Sequence, residues 1–214
     1  MKRQTKNISS IKNIARTYLL DNSKKYILVT VIFLIGIFGG VILVNNSAEE
    51  TTAQISNYIT GFINKFKTTE NINSGDLIIL SIKRNIILAL FLWFAGTTVI
   101  GLPVVFILIF LRGLSLGYTV SALTCALGTL KGILFSIISL ILQNILFIPA
   151  VLTIGVSSIK LYKSILKDRR RENIKVEILK HTMVSAMMIC VLMISAFIEN
   201  SVSFTILQKT IKYF

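Results

Sequence analysis

A long apolar run occupies the middle of the chain. Between Ile86 and Ile159 there are 74 residues with only two charges, Arg112 and Lys131, and a glycine directly follows each charge. A bilayer crossing needs about 20 apolar residues, so this run is long enough for three membrane helices. We interpret the two charges as breaks between helices. The predicted spans are 86–111, 113–130 and 132–159.

Two shorter apolar segments, 26–44 and 182–198, flank this run and bring the predicted spans to five. The first follows a basic start, as a signal peptide would, but its apolar stretch exceeds the roughly 7–15 residues of a signal-peptide core. We therefore expect an uncleaved anchor. Hydrophobic residues make up 54% of the chain and the mean hydropathy is +0.77. The predicted fold class is all-α, a polytopic membrane helix bundle that forms one domain over 1–214.

Two segments outside these spans, 53–67 and 203–214, are predicted to form amphipathic external helices, because apolar residues recur at helical spacing in both. The apolar faces comprise Ile55, Tyr58, Ile59, Phe62, Ile63 and Phe66 in the first segment, and Phe204, Leu207, Ile211 and Phe214 in the second. The simpler interpretation is that they anchor the helices at the membrane surface. The alternative is that they dock a transmembrane or juxtamembrane segment of another protein.

The positive charges predict the orientation of the spans. The formal net charge is +14, and the N-terminal segment, Arg112 and the segment 160–181 hold 16 of the 23 lysines and arginines. The positive-inside rule then places the N-terminus in the cytoplasm and, after five spans, the C-terminus outside. We interpret the basic loop as a topology signal that touches anionic lipid. No nucleic acid is expected as a partner.

One motif suggests catalysis. Residues 113–117 read Gly-Leu-Ser-Leu-Gly, which matches the G-x-S-x-G pattern of serine hydrolases. That pattern requires a strand before the serine, a helix after it, and histidine and acidic partners. The single histidine, His181, lies beside the basic loop, and the spans hold no acidic residue except Glu199 at the far end of the last one. We therefore expect no catalytic, cofactor-binding or metal site and no enzyme activity.

Small residues at a spacing of four predict close helix packing instead. They are Gly36 and Gly40 in the first span, Gly113, Gly117 and Ser121 in the third, and Gly132 and Ser136 in the fourth. Small side chains let membrane helices approach closely. The neighbouring helix could belong to this chain or to another, so a homo-oligomer is possible.

Two prolines and two amides lie within the predicted spans. Pro103 and Pro149 should kink the second and fourth spans, and Gln143 and Asn144 should face the interior of the bundle. The amides serve either as a hydrogen-bonded clamp between helices or as part of a substrate site in a transporter.

These features, taken in order, resemble the stage II sporulation protein M family over essentially the whole chain. The residues that carry the resemblance are Gly96, Ile100-Gly101-Leu102-Pro103, Arg112-Gly113, Gly117-Tyr118, Lys131-Gly132, Gln143-Asn144 and Pro149. The resemblance implies a non-catalytic, multi-pass protein of the cell membrane, placed at the sporulation septum and in the mother-cell membrane that engulfs the forespore. It also implies a scaffold for membrane-anchored peptidoglycan hydrolases, the stage II sporulation proteins D and P. The alternative function is a transporter or channel component with kinked helices around a polar cavity.

Overall fold

The structure is a computed structural model that describes residues 17, 20–68, 74–98, 100–167 and 172–198. Within these ranges the chain forms helices and no strand, which confirms the predicted all-α class. The helices are α1 (Ser23–Asn45), α2 (Glu49–Thr68), α3 (Ser74–Thr97), α4 (Gly101–Leu127), α5 (Thr129–Lys167) and α6 (Glu172–Ile198).

Among the described residues, five segments are long and apolar enough to cross a membrane, which confirms the predicted number. They are Ser23–Asn45, Ile78–Thr97, Gly101–Leu127, Asn144–Leu166 and Ile174–Ile198. Large apolar side chains are exposed along these segments, for example Phe38, Phe91 and Met187, each more than 60% exposed. An apolar exterior of this extent suits contact with lipid and not with water.

The boundary between the second and third spans was predicted wrongly. The second span ends at Thr97, not at residue 111, and the third begins at Gly101. Pro103 is the third residue of α4, where its missing N–H costs nothing because the first N–H groups of a helix have no intrahelical partner. Arg112 and Gly113 consequently lie in the interior of α4 and form no loop between helices.

The later boundaries also differ from the prediction. Gly128, with φ +83°, separates α4 from α5, and Lys131 is an exposed residue in the first turn of α5. This positive φ is readily available to glycine. Helix α5 extends to Lys167 and α6 begins at Glu172, ten residues before the predicted start of the last span. Among the described basic residues of the predicted loop, Lys163 of α5 and Lys175 and Lys180 of α6 are exposed helical residues.

Helix α4 lies at the centre of one half of the bundle, where it packs along α1, antiparallel to α5, and against α2. The other half is formed by α3, α5 and α6. Helix α5 belongs to both halves, because it packs against α4 and also against α3 and α6. At roughly 1.5 Å per residue, its 39 residues are longer than the hydrocarbon core is thick. The main core contains Val29, Phe33, Leu92, Val105, Ile109, Phe147, Ile154 and Leu192.

The corrected boundaries leave the predicted orientation unchanged. The connection between the second and third spans lies between Thr97 and Gly101 and not at Arg112, and the number of spans found in the described residues stays at five. A cytoplasmic N-terminus and an external C-terminus therefore remain the prediction, supported by the basic residues of 160–181.

Candidate functional site

Four glycines join α1 to α4. A Cβ atom at Gly36 would overlap the carbonyl oxygen of Phe110, and one at Gly40 would overlap that of Leu114. The relation is reciprocal, because Gly113 and Gly117 face the carbonyl oxygens of Phe33 and Ile37 in the same way. We call this set of four glycines the glycine contact. It brings two backbones together directly, and it lies within one chain.

Small polar residues extend the packing toward the predicted external end of the bundle. Ser121 Oγ donates a hydrogen bond of 3.1 Å to Asn45 Oδ1, which ties the ends of α4 and α1 together. A Cβ at Gly132 would lie 2.6 Å from the carbonyl oxygen of Leu123, so α5 begins in close contact with the end of α4. Ser136 donates to the Gly132 carbonyl of its own helix at 2.8 Å.

The first amphipathic segment forms α2, and its apolar face is divided. Ile63 is buried and packs, with Ile59, against Leu123 of α4 and Phe135 of α5. Tyr58 is 78% exposed. Ile55 is half-buried and Phe62 is exposed, while the side chain of Phe66 and all of 203–214, including Phe204, Leu207, Ile211 and Phe214, lie outside the described residues. Part of the candidate partner face therefore docks within this chain.

Polar side chains near the middle of the membrane segments lie between α4 and α5. The guanidinium of Arg112 stands over the ring of Phe147, with Cζ 4.1 Å from the ring centroid, an arrangement that favours a cation. Asn144 is buried, and its Nδ2 donates to the Leu140 carbonyl at 2.7 Å. The Asn144 Oδ1 atom is also buried, and no described residue donates a hydrogen bond to it.

The predicted polar interior is not assembled as expected. Pro103 lies in the first turn of α4 and not inside the second span, and the side chains of Pro103 and Pro149 are both exposed. Helix α5 continues through Pro149, and the hydroxyl of Thr153 donates to the Pro149 carbonyl at 2.7 Å. Asn144 is buried as expected for an amide at this depth, and the side chain of Gln143 lies outside the described residues.

A hydrogen-bonded junction around His181 was not predicted. His181 is 1% exposed; its Nε2 lies 3.3 Å from the Trp93 carbonyl, to which an N–H donates, and its Nδ1 lies 2.9 Å from Ser157 Oγ. Trp93 Nε1 donates to Thr182 Oγ1 at 3.2 Å. A Cβ at Gly96 would lie 2.8 Å from His181 Nε2, so the glycine makes room for the imidazole. The junction joins α3, α5 and α6, and Gly96 near the end of a span was its only sequence signal.

The geometry around Ser115 differs from that of a hydrolase. The Gly-Leu-Ser-Leu-Gly sequence lies in the interior of α4, with no preceding strand or sharp turn, and Ser115 is exposed on the helix surface. Among the described residues no group of three or more His, Cys, Asp or Glu side chains is positioned to hold a metal ion.

Comparison with known proteins identifies the family. A family model described as stage II sporulation protein M matches residues 29–203, which include the glycine contact, Asn144 and the His181 junction. No curated protein and no solved structure matches the chain significantly. The family match covers well over half of the chain, from within α1 to beyond the end of α6. The chain therefore belongs to the stage II sporulation protein M family.

Proposed function

We propose that this sporulation membrane protein is a non-catalytic scaffold that recruits and localises peptidoglycan hydrolases. Its place of action is the septal membrane and the mother-cell membrane that engulfs the forespore. Its partners are the membrane-anchored stage II sporulation proteins D and P. The family match over residues 29–203 is the observation that carries this proposal.

The geometry supports a structural role for the polar groups. His181 and Ser121 each hydrogen-bond to a residue of a neighbouring helix, and Arg112 of α4 stands over the ring of Phe147 in α5. These contacts fix the positions of helices relative to one another. A rigid bundle of this kind suits a protein that holds membrane-anchored partners in place.

The transporter hypothesis is less well supported. It requires kinked helices around a polar cavity, whereas both prolines are exposed and α5 passes through Pro149 as one helix. The described part of the chain gives no observation that favours this hypothesis over the scaffold.

Co-purification tests the proposed function. The tagged, full-length chain is purified in mild detergent from sporulating membranes, with an unrelated tagged multi-pass protein as control, and the bound proteins are identified by mass spectrometry. We expect stage II sporulation proteins D and P to be enriched over the control. Enrichment of neither hydrolase would count against the scaffold.

A further inference from the structure

An open groove runs along one side of the bundle, between α1, α4 and the first half of α5. Its floor is Gly117 and Val120 of α4, and its walls are Ile37 and Val41 of α1 and Ile133 and Ile137 of α5. This part has a volume of about 290 Å³. A second depression shares Val41, Val120 and Ile133 and extends the groove to Asn45, at the end of α1. We call these two parts together the lateral groove.

Asn144 is the polar group at the inner end of the lateral groove. It lines the groove beside Leu116 and Gly117 and is 7% exposed. Its Nδ2 donates within α5, but its Oδ1 is also buried and accepts no hydrogen bond from the described residues. Asn144 is the first residue of the candidate span in α5, and it lines the same groove as Gly117, which lies close to the midpoint of α4. Asn144 therefore lies at about the depth of the middle of α4. Water is not available at that depth, so the unpaired oxygen is costly unless another molecule donates to it.

The chemistry of the occupant follows from this oxygen. The acyl chain of a lipid fills an apolar groove but has no donor, so it leaves the Asn144 oxygen unpaired. A transmembrane helix fills the groove with side chains and can also present a Ser, Thr, Asn or Gln donor at the same depth. A second copy of this chain fits less well, because the glycines that allow close approach are already used between its own α1 and α4.

We infer that the lateral groove binds the transmembrane helix of a membrane-anchored hydrolase, and that a side chain of that helix donates a hydrogen bond to Asn144 Oδ1. This inference rests on the proposed function, because it takes its partner from there. It adds the location of the contact and the kind of residue that the partner helix must carry.

Site-specific photo-crosslinking tests the location. The photo-reactive amino acid p-benzoylphenylalanine replaces Ile137, which lines the groove, or Ile145, a matched control on the same helix that is 61% exposed and does not line the groove. The full-length chain is irradiated in sporulating cells that carry tagged proteins D and P, and crosslinked peptides are sequenced. We expect crosslinks from position 137 to the transmembrane segment of one hydrolase and at least fivefold fewer from position 145.

The substitution Asn144→Leu tests the hydrogen bond. Removal of the unpaired oxygen should leave the thermal midpoint of the purified chain unchanged or raised, since a buried unpaired acceptor is lost. Loss of one interhelical bond should lower the crosslink yield from position 137 about fivefold. A lower thermal midpoint together with an unchanged crosslink yield would show that Asn144 acts only within the chain, and would overturn the inference.

Other crosslinking results would overturn it as well. Crosslinks from position 137 only to lipid, only to a second copy of the chain, or to the external domain of a hydrolase are each incompatible with the proposed occupant, and so are equal yields from positions 137 and 145. If the hydrolases co-purify with the chain but do not crosslink from position 137, the groove is not their binding site and the scaffold function still stands. If they do not co-purify, the proposed function itself fails.

Discussion

At the scale of single residues, the contact between α1 and α4 depends on glycines at which a Cβ atom would overlap a backbone carbonyl oxygen. Glycines four residues apart predicted close packing, but their spacing did not specify whether the neighbour lay in this chain. The structure shows that Gly36 and Gly40 contact the backbone of α4 in the same chain. Pro103 and Arg112 were misplaced because each residue type also occurs within helices: proline is common in the first turn, and a partly buried arginine can stand over an aromatic ring.

The glycine contact provides a matched pair of substitutions. Gly36→Ala should lower the free energy of unfolding by about 1–3 kcal/mol, because the new Cβ overlaps the backbone of α4. Gly39→Ala, three residues away, should be neutral or slightly stabilising, since a Cβ there meets only the Phe110 ring at 3.8 Å and alanine favours helix. Thermal unfolding in detergent measures both variants. Equal effects of the two substitutions would contradict backbone contact between α1 and α4.

The His181 junction gives a second prediction at this scale. His181→Ala should cost about 1–3 kcal/mol, because it leaves the Ser157 hydroxyl and the Trp93 carbonyl without their imidazole partner. Met183→Ala is the control, since Met183 is 61% exposed on the same helix, and we expect a change within about 0.5 kcal/mol. Chemical or thermal unfolding of the two variants distinguishes them. A stable His181→Ala protein would show that the junction contributes little.

At the scale of elements, the number of helices was predictable and their ends were not. Apolar length indicates a crossing reliably because every span must exceed the same hydrocarbon thickness. Helix ends depend on local backbone features, such as the turn before Gly101 and the positive φ of Gly128, which apolar patterning does not reveal. The periodicity of α2 predicted one apolar face, but it did not show that Ile63 packs within the bundle while Tyr58 is exposed.

The docking of α2 can be tested by comparing its two sides. Ile63→Ala should cost about 2 kcal/mol and increase hydrogen exchange throughout α2, because it removes the contact with Leu123 and Phe135. Tyr58→Ala should leave exchange in α2 nearly unchanged, since the ring is 78% exposed. Hydrogen-exchange mass spectrometry in detergent provides the measurement. Unchanged protection in the Ile63 variant would mean that α2 is held by other contacts.

At the scale of the whole molecule, five spans and the distribution of basic residues predict one orientation. The connection between the second and third spans lies between Thr97 and Gly101 and not at Arg112. A different residue is therefore expected to be accessible from the cytoplasm, but the connection stays on the cytoplasmic side. Long-range pairing of helices, such as α1 with α4 and α3 with α6, could not be predicted because apolar faces of similar composition can pack in many orders.

Cysteine labelling tests this arrangement. In a background with Cys125→Ser and Cys190→Ser, a membrane-impermeant maleimide should label Ala48→Cys from outside and Ile100→Cys only after the membrane is permeabilised, since both positions are exposed in connections between helices. Arg112→Cys should resist labelling in both conditions because it lies inside α4. Labelling of position 112 from the cytoplasm would contradict its place inside α4 and would support a break between helices at Arg112.

Hydrolase localisation in sporulating cells tests the central claim most directly. Fluorescently tagged stage II sporulation protein P is imaged in cells that lack this protein and in cells complemented with the full-length chain. The scaffold function predicts that the hydrolase disperses around the mother-cell membrane in the deletion strain and returns to the septum on complementation, while vegetative growth stays normal. A hydrolase that remains at the septum in the absence of this protein would contradict the scaffold function.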